Sequence, residues 1–221
     1  MSDPAKRPSA AHTAYAVTKE LILSGELPGG SLISEGEIAE RVKVSRTPVR
    51  EAFLRLESEE LLALHPKRGA VVMPVPPGEA ADVLELRLAL ERAAAERIAG
   101  TGLPDEHQER MRDLLRRQRA LAGVADVGGF ADADESFHRC IVEASGNRLA
   151  GRFYATLGDR QRRMSITALR LRPERLALLA DEHEALLELL CAGDSSAFAS
   201  ALLDHLRATH GSPHAAVRDD R

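Results

Sequence analysis

SEGEIAERVKVSRTPVREAFLRLESEELLALHPKRGAVV, residues 34–72, carries two short helical signals, a tight turn and a hairpin signal, in that order. Ser34 with Glu37 three residues on is a capping-box pattern that opens a helix over Glu35–Val42, with Ile38 and Ala39 free to face inward. Lys43, Val44 and Ser45 form the turn, and Ser45 is placed to cap the next helix, where Pro48 falls in the first turn and costs nothing. Along that helix Val49, Ala52, Phe53, Leu56 and then Leu61 recur every three to four residues, while Arg46, Arg50 and Glu57 fall on other faces. LLALHPKRGAVVMPV then predicts a two-stranded hairpin with a basic tip. A lone hairpin is marginal in water, so it must pack on the helices before it. Upstream, Tyr15, Leu21 and Ile22 mark an amphipathic helix over 11–24 that Gly25 ends, and ELPGGS reads as a turn. The expected unit is a winged helix-turn-helix over 11–75, preceded by a polar, disordered leader over 1–10 and followed by a linker over 76–78.

Beyond the linker, 79–210 shows six helical stretches, at about 79–99, 104–122, 128–145, 147–169, 173–192 and 195–210. Their separators are short and rich in Gly, Pro, Asn or Asp, which points to an antiparallel all-helical bundle. Residues 211–221 read as a flexible tail. The abundance of Ala, Leu, Arg and Glu supports a mainly α protein. The net charge of −4 hides any local basic patch, so charge must be read segment by segment. Cys140 and Cys191 both lie in apolar helical patterns and read as buried free thiols of a reducing compartment. The N-terminus lacks the apolar stretch of a signal peptide, and no apolar run is long enough to span a membrane. A cytoplasmic protein without membrane partners is the expectation.

Ser45, Arg46, Thr47 and Arg50 gather at the start of the second short helix, the end that enters a major groove in helix-turn-helix proteins. A guanidinium matches the two acceptors of guanine, and a hydroxyl takes a phosphate or a base. Lys67 and Arg68 at the wing tip would grip the adjacent backbone or minor groove. Any one arginine on an exposed face more often just covers surface; turn, helix and basic wing together point to double-stranded DNA. Two half-sites of a short palindrome match a two-fold homodimer.

In the second segment Asp134 and His138 stand at i and i+4 on one helical face, and His183 and His205 each lie within an apolar stripe. Each histidine alone reads equally as a structural core residue. Converging faces would put one carboxylate and three imidazoles around a point suited to a divalent zinc, nickel or manganese ion.

The run from LILSGELPGG at residue 21 through the wing HPKRGAVV resembles the DNA-binding domain of the GntR family of bacterial regulators and covers nearly the whole N-terminal unit. The resemblance implies that Arg46, Thr47 and Arg50 contact bases and phosphates and that Gly69 lets the wing tip approach DNA. Gly36 stands where the family often has a polar or basic residue. Residues 79–210, through LELRLALE, DESFHRCIVEASGN, DEHEALLELLCAGD and DHL, are similar to the FCD domain of the FadR subfamily. Asp134, His138, His183 and His205 fill its metal positions, and six helices suggest its VanR-like branch. The same resemblance makes Arg87 a partner for an effector carboxylate and Asn147 a second pocket residue. Arg87 is equally placed to pair with Glu91 within its own helix, and Asn147 to cap a helix. The expected function is a DNA-binding regulator, a repressor, whose operator affinity responds to a small organic acid held at the metal site. The rivals are a metal-dependent hydrolase, for which no convincing general base set stands beside the cluster, and a DNA-binding protein whose metal is purely structural.

Overall fold

A computed structural model describes residues 9–66, 68–76 and 78–210; residues 1–8 of the leader expected over 1–10, Lys67 of the wing, Pro77 of the linker and the tail over 211–221 lie outside these described residues, while Ser9 and Ala10 are the cap and first residue of a helix rather than leader. The chain divides into two compact units after Pro76.

In the first unit α1 (Ala10–Leu23) begins at Ser9, whose hydroxyl accepts from the His12 N–H, and ends where Gly25 takes positive φ. A short strand β1 (Leu32–Ile33) leads to α2 (Glu35–Val42). Both halves of the capping box at Ser34 form: its hydroxyl accepts from the Glu37 N–H at 3.1 Å, and its own N–H donates to Glu37 Oε2 at 2.7 Å. Lys43 closes the helix in the left-handed region at φ 58°. Next, α3 (Arg46–Ser58) starts after Ser45, which occupies the cap position but makes no side-chain bond to the helix backbone. The expected cap is positional only.

The strands β2 (Leu62–His65) and β3 (Gly69–Val72) form the predicted hairpin, with Leu62 opposite Val72 and His65 opposite Gly69. The sheet has three strands rather than two, in the order β1-β3-β2, because Leu32 and Ile33 pair with Val71 and Ala70. Its inner face closes on Val49, Phe53 and Leu56 of α3 and on Ala14 and Ile22 of α1, all essentially inaccessible. Tyr15 of α1 donates its hydroxyl to Glu59 just beyond α3, and Lys19 bonds the same carboxylate at 2.9 Å, which fixes α3 against α1.

Gly69 owes its place to that third strand. Its φ is +102°, and a Cβ there would stand 2.2 Å from the Ile33 carbonyl oxygen. The glycine is needed for β1 to lie against the wing, a demand of packing that precedes any approach to DNA. Gly69→Ala should therefore destabilise the first unit by about 2–4 kcal/mol, from left-handed strain plus overpacking. Urea denaturation of the full chain measures this; a loss under about 0.5 kcal/mol, the range of ordinary surface substitutions, would show that β1 yields freely.

The second unit holds α4 (Glu79–Thr101), α5 (Asp105–Gly123), α6 (Val127–Ala144), α7 (Arg148–Ala155), α8 (Gly158–Arg170), a 3-10 turn (Pro173–Arg175), α9 (Leu176–Ala192) and α10 (Ser195–His210). Among the described residues this is seven α-helices, so the count of six that pointed to a VanR-like branch is not met. The expected helix over 147–169 breaks at Thr156 and Leu157. Their N–H groups bond the carbonyls three residues back, and the Thr156 hydroxyl also bonds the Phe153 carbonyl. That tightened turn ends α7. Phe137, Ile141, Ile98, Met111, Phe198 and Leu202 fill the main core, and Phe130 with Leu169, Leu176 and Leu179 forms a smaller one. Cys140 is buried as expected, but Cys191 is exposed at the end of α9, one residue past the apolar stripe that closes at Leu190. No described helix is long and apolar enough to cross a membrane.

Candidate metal centre and nucleic-acid interface

Asp134, His138, His183 and His205 come together in the middle of the helical unit, all buried, with one ligand atom from each lying within 4.8 Å of the others. The i, i+4 spacing on α6 puts the His138 Nε2 3.7 Å from Asp134 Oδ1. His183 from α9 is the hub. Its Nε2 lies 3.2 Å from the Nε2 of His138, 3.2 Å from that of His205 on α10, and 3.3 Å from Asp134 Oδ1. Nitrogens that share one zinc ion at about 2.0–2.1 Å sit roughly 3 Å apart, so the spacing suits a single cation.

The far side of each ring is held as well. His138 Nδ1 is 2.7 Å from Glu91 Oε2, His183 Nδ1 is 2.7 Å from Gln118 Oε1, and His205 Nδ1 is 2.7 Å from Glu182 Oε2. Facing only acceptors, each Nδ1 carries its proton, which leaves the lone pairs on the three Nε2 atoms turned toward one another. Lone pairs at 3.2 Å repel unless a cation stands between them. The donor set thus fits a divalent metal on its own chemistry, and the Nδ1 acceptors are the outer support such imidazoles need.

Protonation follows the same direction. Burial alone would raise the Glu91 carboxyl, but His138 and Arg87 beside it, with hydrogen bonds from His138 and Tyr154, bring it down to about 2. Asp134 is likewise held well below its ordinary range against its burial, by the His183 hydrogen bond and the nearby His138, His183 and Arg87. Burial pushes His205 down to about 4, although its bond to Glu182 opposes the shift, and burial also lowers His138 against the pull of Glu91. Charged carboxylates beside neutral imidazoles are the state that ligation requires.

Each of the seven helices sends a side chain to this centre. Glu91 comes from α4, Gln118 from α5 and Tyr154 from α7, while Gln161 and Ser165 of α8 lie 3.4 and 3.5 Å from Asp134 Oδ2. Sequence reasoning named Asp134 and the three histidines but missed Gln118, Glu182, Tyr154, Gln161 and Ser165. So many buried polar groups are a weak source of stability, since their desolvation cancels much of their attraction.

Arg87 is 1 % exposed, and its Nε donates both to Glu91 Oε1 at 3.1 Å and to the Tyr154 hydroxyl oxygen at 3.3 Å. The intrahelical pair is therefore present. Even so, Arg87 Nη2 is buried with no hydrogen-bond partner among the described residues, as is Gln118 Nε2. Asn147 stands apart from this arrangement. It is exposed at the start of α7, and its Oδ1 accepts from the N–H groups of Leu149 and Ala150, the helix-cap role.

In the first unit, Arg46, Arg50, Arg68 and Gly69 line one open groove with Gly36 and His65. Arg46 and Arg50 lie one turn apart on α3, both exposed, and neither engages a carboxylate among the described residues. Their neighbours differ: Arg41 pairs with Glu26, and Arg55 with Glu59. Gly36 has a local reason, since a Cβ there would come within 3.4 Å of Arg46 Nη2. The glycine leaves room for that guanidinium. Ser45 and Thr47 are exposed at the same helix end, and His65, unselected within HPKRG, adds an imidazole to the wing side of the groove.

Residues 10–72 match the family described as "Bacterial regulatory proteins, gntR family", and residues 82–208 match the FCD domain. The chain is 32% identical over 187 residues, 85% of its length and 81% of the relative's, to the "Probable D-xylose utilization operon transcriptional repressor" of Paenarthrobacter nicotinovorans. It is 29% identical over 188 residues, 82% of its length and 76% of the relative's, to the gluconate operon transcriptional repressor of Bacillus subtilis. The solved structure of McbR/YncC from E. coli shares the fold, with a TM-score of 0.74 at 22% identity over 91% of this chain and 95% of that one.

Proposed function

The chain belongs to the GntR family of bacterial regulatory proteins and carries an FCD domain, and from that premise we propose that it is a homodimeric repressor whose hold on a palindromic operator is released by a small organic acid at the metal centre. The observation that carries the reading is the buried, unpartnered Nη2 of Arg87 in the unit that holds the Asp134, His138, His183 and His205 cluster. An unmade hydrogen bond on a buried cation is costly, and a carboxylate satisfies it with a charge-assisted one. Asp134, His138, His183 and His205 would hold a zinc-, nickel- or manganese-like ion, which would supply Lewis acidity toward the acid's oxygen. Arg87 binds and orients the carboxylate, while Tyr154 and Glu91 hold the guanidinium in place.

The names of the relatives support repression, and the relatives matched are regulators rather than enzymes, which favours ligand binding over hydrolysis at this centre. A second copy suits the exposed apolar residues Leu149 and Phe153 of α7 and Leu86 of the adjacent α4, since such patches on a regulator mark association surfaces. In the first unit, Arg46, Thr47 and Arg50 read the operator, with Ser45, Arg68 and Lys67 on its backbone. Release requires that the acid bind the two dimer arrangements with different affinity.

The test is a panel of small carboxylates, gluconate among them, scored by melting temperature and by operator gel shift on metal-loaded protein. At about 100 times its dissociation constant an effector adds roughly 2.7 kcal/mol of stability. One acid should raise the melting temperature and release the operator in wild type, and do neither in Arg87→Met. If metal-loaded protein responds to no acid across such a panel, the centre is structural and the sensor reading fails.

A further inference from the structure

Glu91 touches both halves of the centre. Its Oε1 accepts from Arg87 Nε at 3.1 Å and from the Tyr154 hydroxyl at 2.6 Å, while its Oε2 takes the His138 Nδ1–H at 2.7 Å. The carboxylate is fully buried and reaches no solvent that could substitute for either partner. Gln118 and Glu182 hold the other two imidazoles differently: Gln118 is neutral, and Glu182 is partly exposed, with Arg175 only at 3.9 Å. Of the three Nδ1 acceptors, only Glu91 is shared with the arginine whose Nη2 lacks a partner.

From this geometry we propose that Glu91 is the positioning residue that couples Arg87 to the metal centre, setting how strongly His138 ligates according to what Arg87 engages. The inference rests on the metal reading above. When Arg87 shares Glu91, the carboxylate divides its negative charge between guanidinium and imidazole. When an acid's carboxylate engages Nη2, it neutralises part of the guanidinium charge that Glu91 feels through Nε, so Glu91 holds the His138 Nδ1–H more strongly and makes the Nε2 lone pair a better donor. Acid and metal then strengthen each other's binding, and by linkage the factor is the same in both directions. No movement of the helices is required for this step.

A double-mutant cycle in zinc affinity tests it, using full-length wild type, Arg87→Met, Glu91→Gln and the double variant, titrated against a competing chelator. Glu91→Gln should weaken zinc binding 10- to 100-fold, the range seen for lost outer-shell partners. Arg87→Met should tighten it, and the tightening should shrink at least threefold in the Glu91→Gln background. A direct charge effect of Arg87 on the ion would persist unchanged there, so equal effects in the two backgrounds overturn the coupling. Because Glu91→Gln leaves Arg87 buried and unpaired and can unfold the unit, the decisive pair is Arg87→Met against the double variant, whose buried charges are both removed. These two should differ at least 10-fold in zinc affinity and in the visible spectrum of the cobalt(II)-loaded protein, which reports the His138 ligand field; equal affinity and identical spectra refute the role of Glu91. Wild type that takes up no zinc overturns the metal centre itself, whereas wild type that binds zinc no more tightly than Glu91→Gln overturns only the role given to Glu91.

Discussion

His183→Ala protein, purified beside wild type, should retain no stoichiometric divalent metal and should melt about 5–15 °C lower in the same zinc-containing buffer. His183 is the hub of the cluster: its Nε2 stands within 3.3 Å of an atom of each of the other three residues. Its ring also stacks on Phe137, with centroids 4.9 Å apart, and its Nδ1–H satisfies Gln118. Alanine removes the shared ligand and strands a buried amide oxygen. Metal at 100 to 1,000 times its dissociation constant contributes about 2.7–4.1 kcal/mol, and a chain of this length shifts by roughly 2–4 °C for each kcal/mol. Elemental analysis of the variant decides the assignment, because full occupancy without His183 would place the metal elsewhere. The chelated wild type should show a matching pH dependence. Burial lowers His205 to about 4, so its contribution is complete above the ordinary imidazole value near 6.5 and is lost as the pH falls from there toward 4. That loss is about 3 kcal/mol by linkage. Urea denaturation of the chelated protein at pH 7 and pH 4.5 reads most of it.

Where a signal was local, the sequence could be read directly. Ser34 and Glu37 form both bonds of the capping box, and α2 spans the residues expected of it. The Asp134 and His138 pair was legible because a helix brings i and i+4 together whatever surrounds it. What escaped depends on distant chain segments. β1 has two residues, too few to show any alternation, and Gly69 is explained only by the Ile33 carbonyl across the sheet. Glu91, Gln118 and Glu182 lie 47, 65 and 23 residues from the imidazoles they hold; the spacing from Arg87 marks Glu91 as an ion-pair partner but not as the acceptor for His138, and no local pattern assigns Gln118 or Glu182 to an imidazole. Ser45 sits at the cap position yet leaves its hydroxyl unbonded to the helix, a choice of rotamer that no residue pattern encodes.

The two readings of Arg87 turn out to be compatible. A guanidinium has five donors in a fixed fork, so an intrahelical pair through Nε still leaves Nη2 for a ligand. A buried site must satisfy individual atoms rather than whole residues, so one arginine can fill both roles.

At the other end of the chain, Arg50→Ala should weaken operator binding about 5- to 150-fold for each half-site, and Arg46→Ala by a similar amount. A good bidentate contact to guanine is worth about 1–3 kcal/mol, and a two-fold dimer loses it twice. The expectation falls on these two arginines because the fold keeps them available: Arg41 and Arg55, equally basic and nearby, are tied to Glu26 and Glu59, while Arg46 and Arg50 line an open groove and pair with no acid among the described residues. Gel-shift titration on the cognate operator gives the size of the effect, and its salt dependence gives the kind. An arginine that holds a phosphate lowers the slope of log affinity against log salt by about one when removed and weakens all sequences alike. An arginine that reads guanine leaves the slope nearly unchanged and relaxes the preference at one position of each half-site. Arg46, resting over Gly36, has the more constrained guanidinium and should show the base-reading pattern; Gly36→Ala, which crowds it by one methyl, should then reduce specificity without changing the salt slope. Unchanged affinity in both arginine variants would remove α3 from the operator altogether.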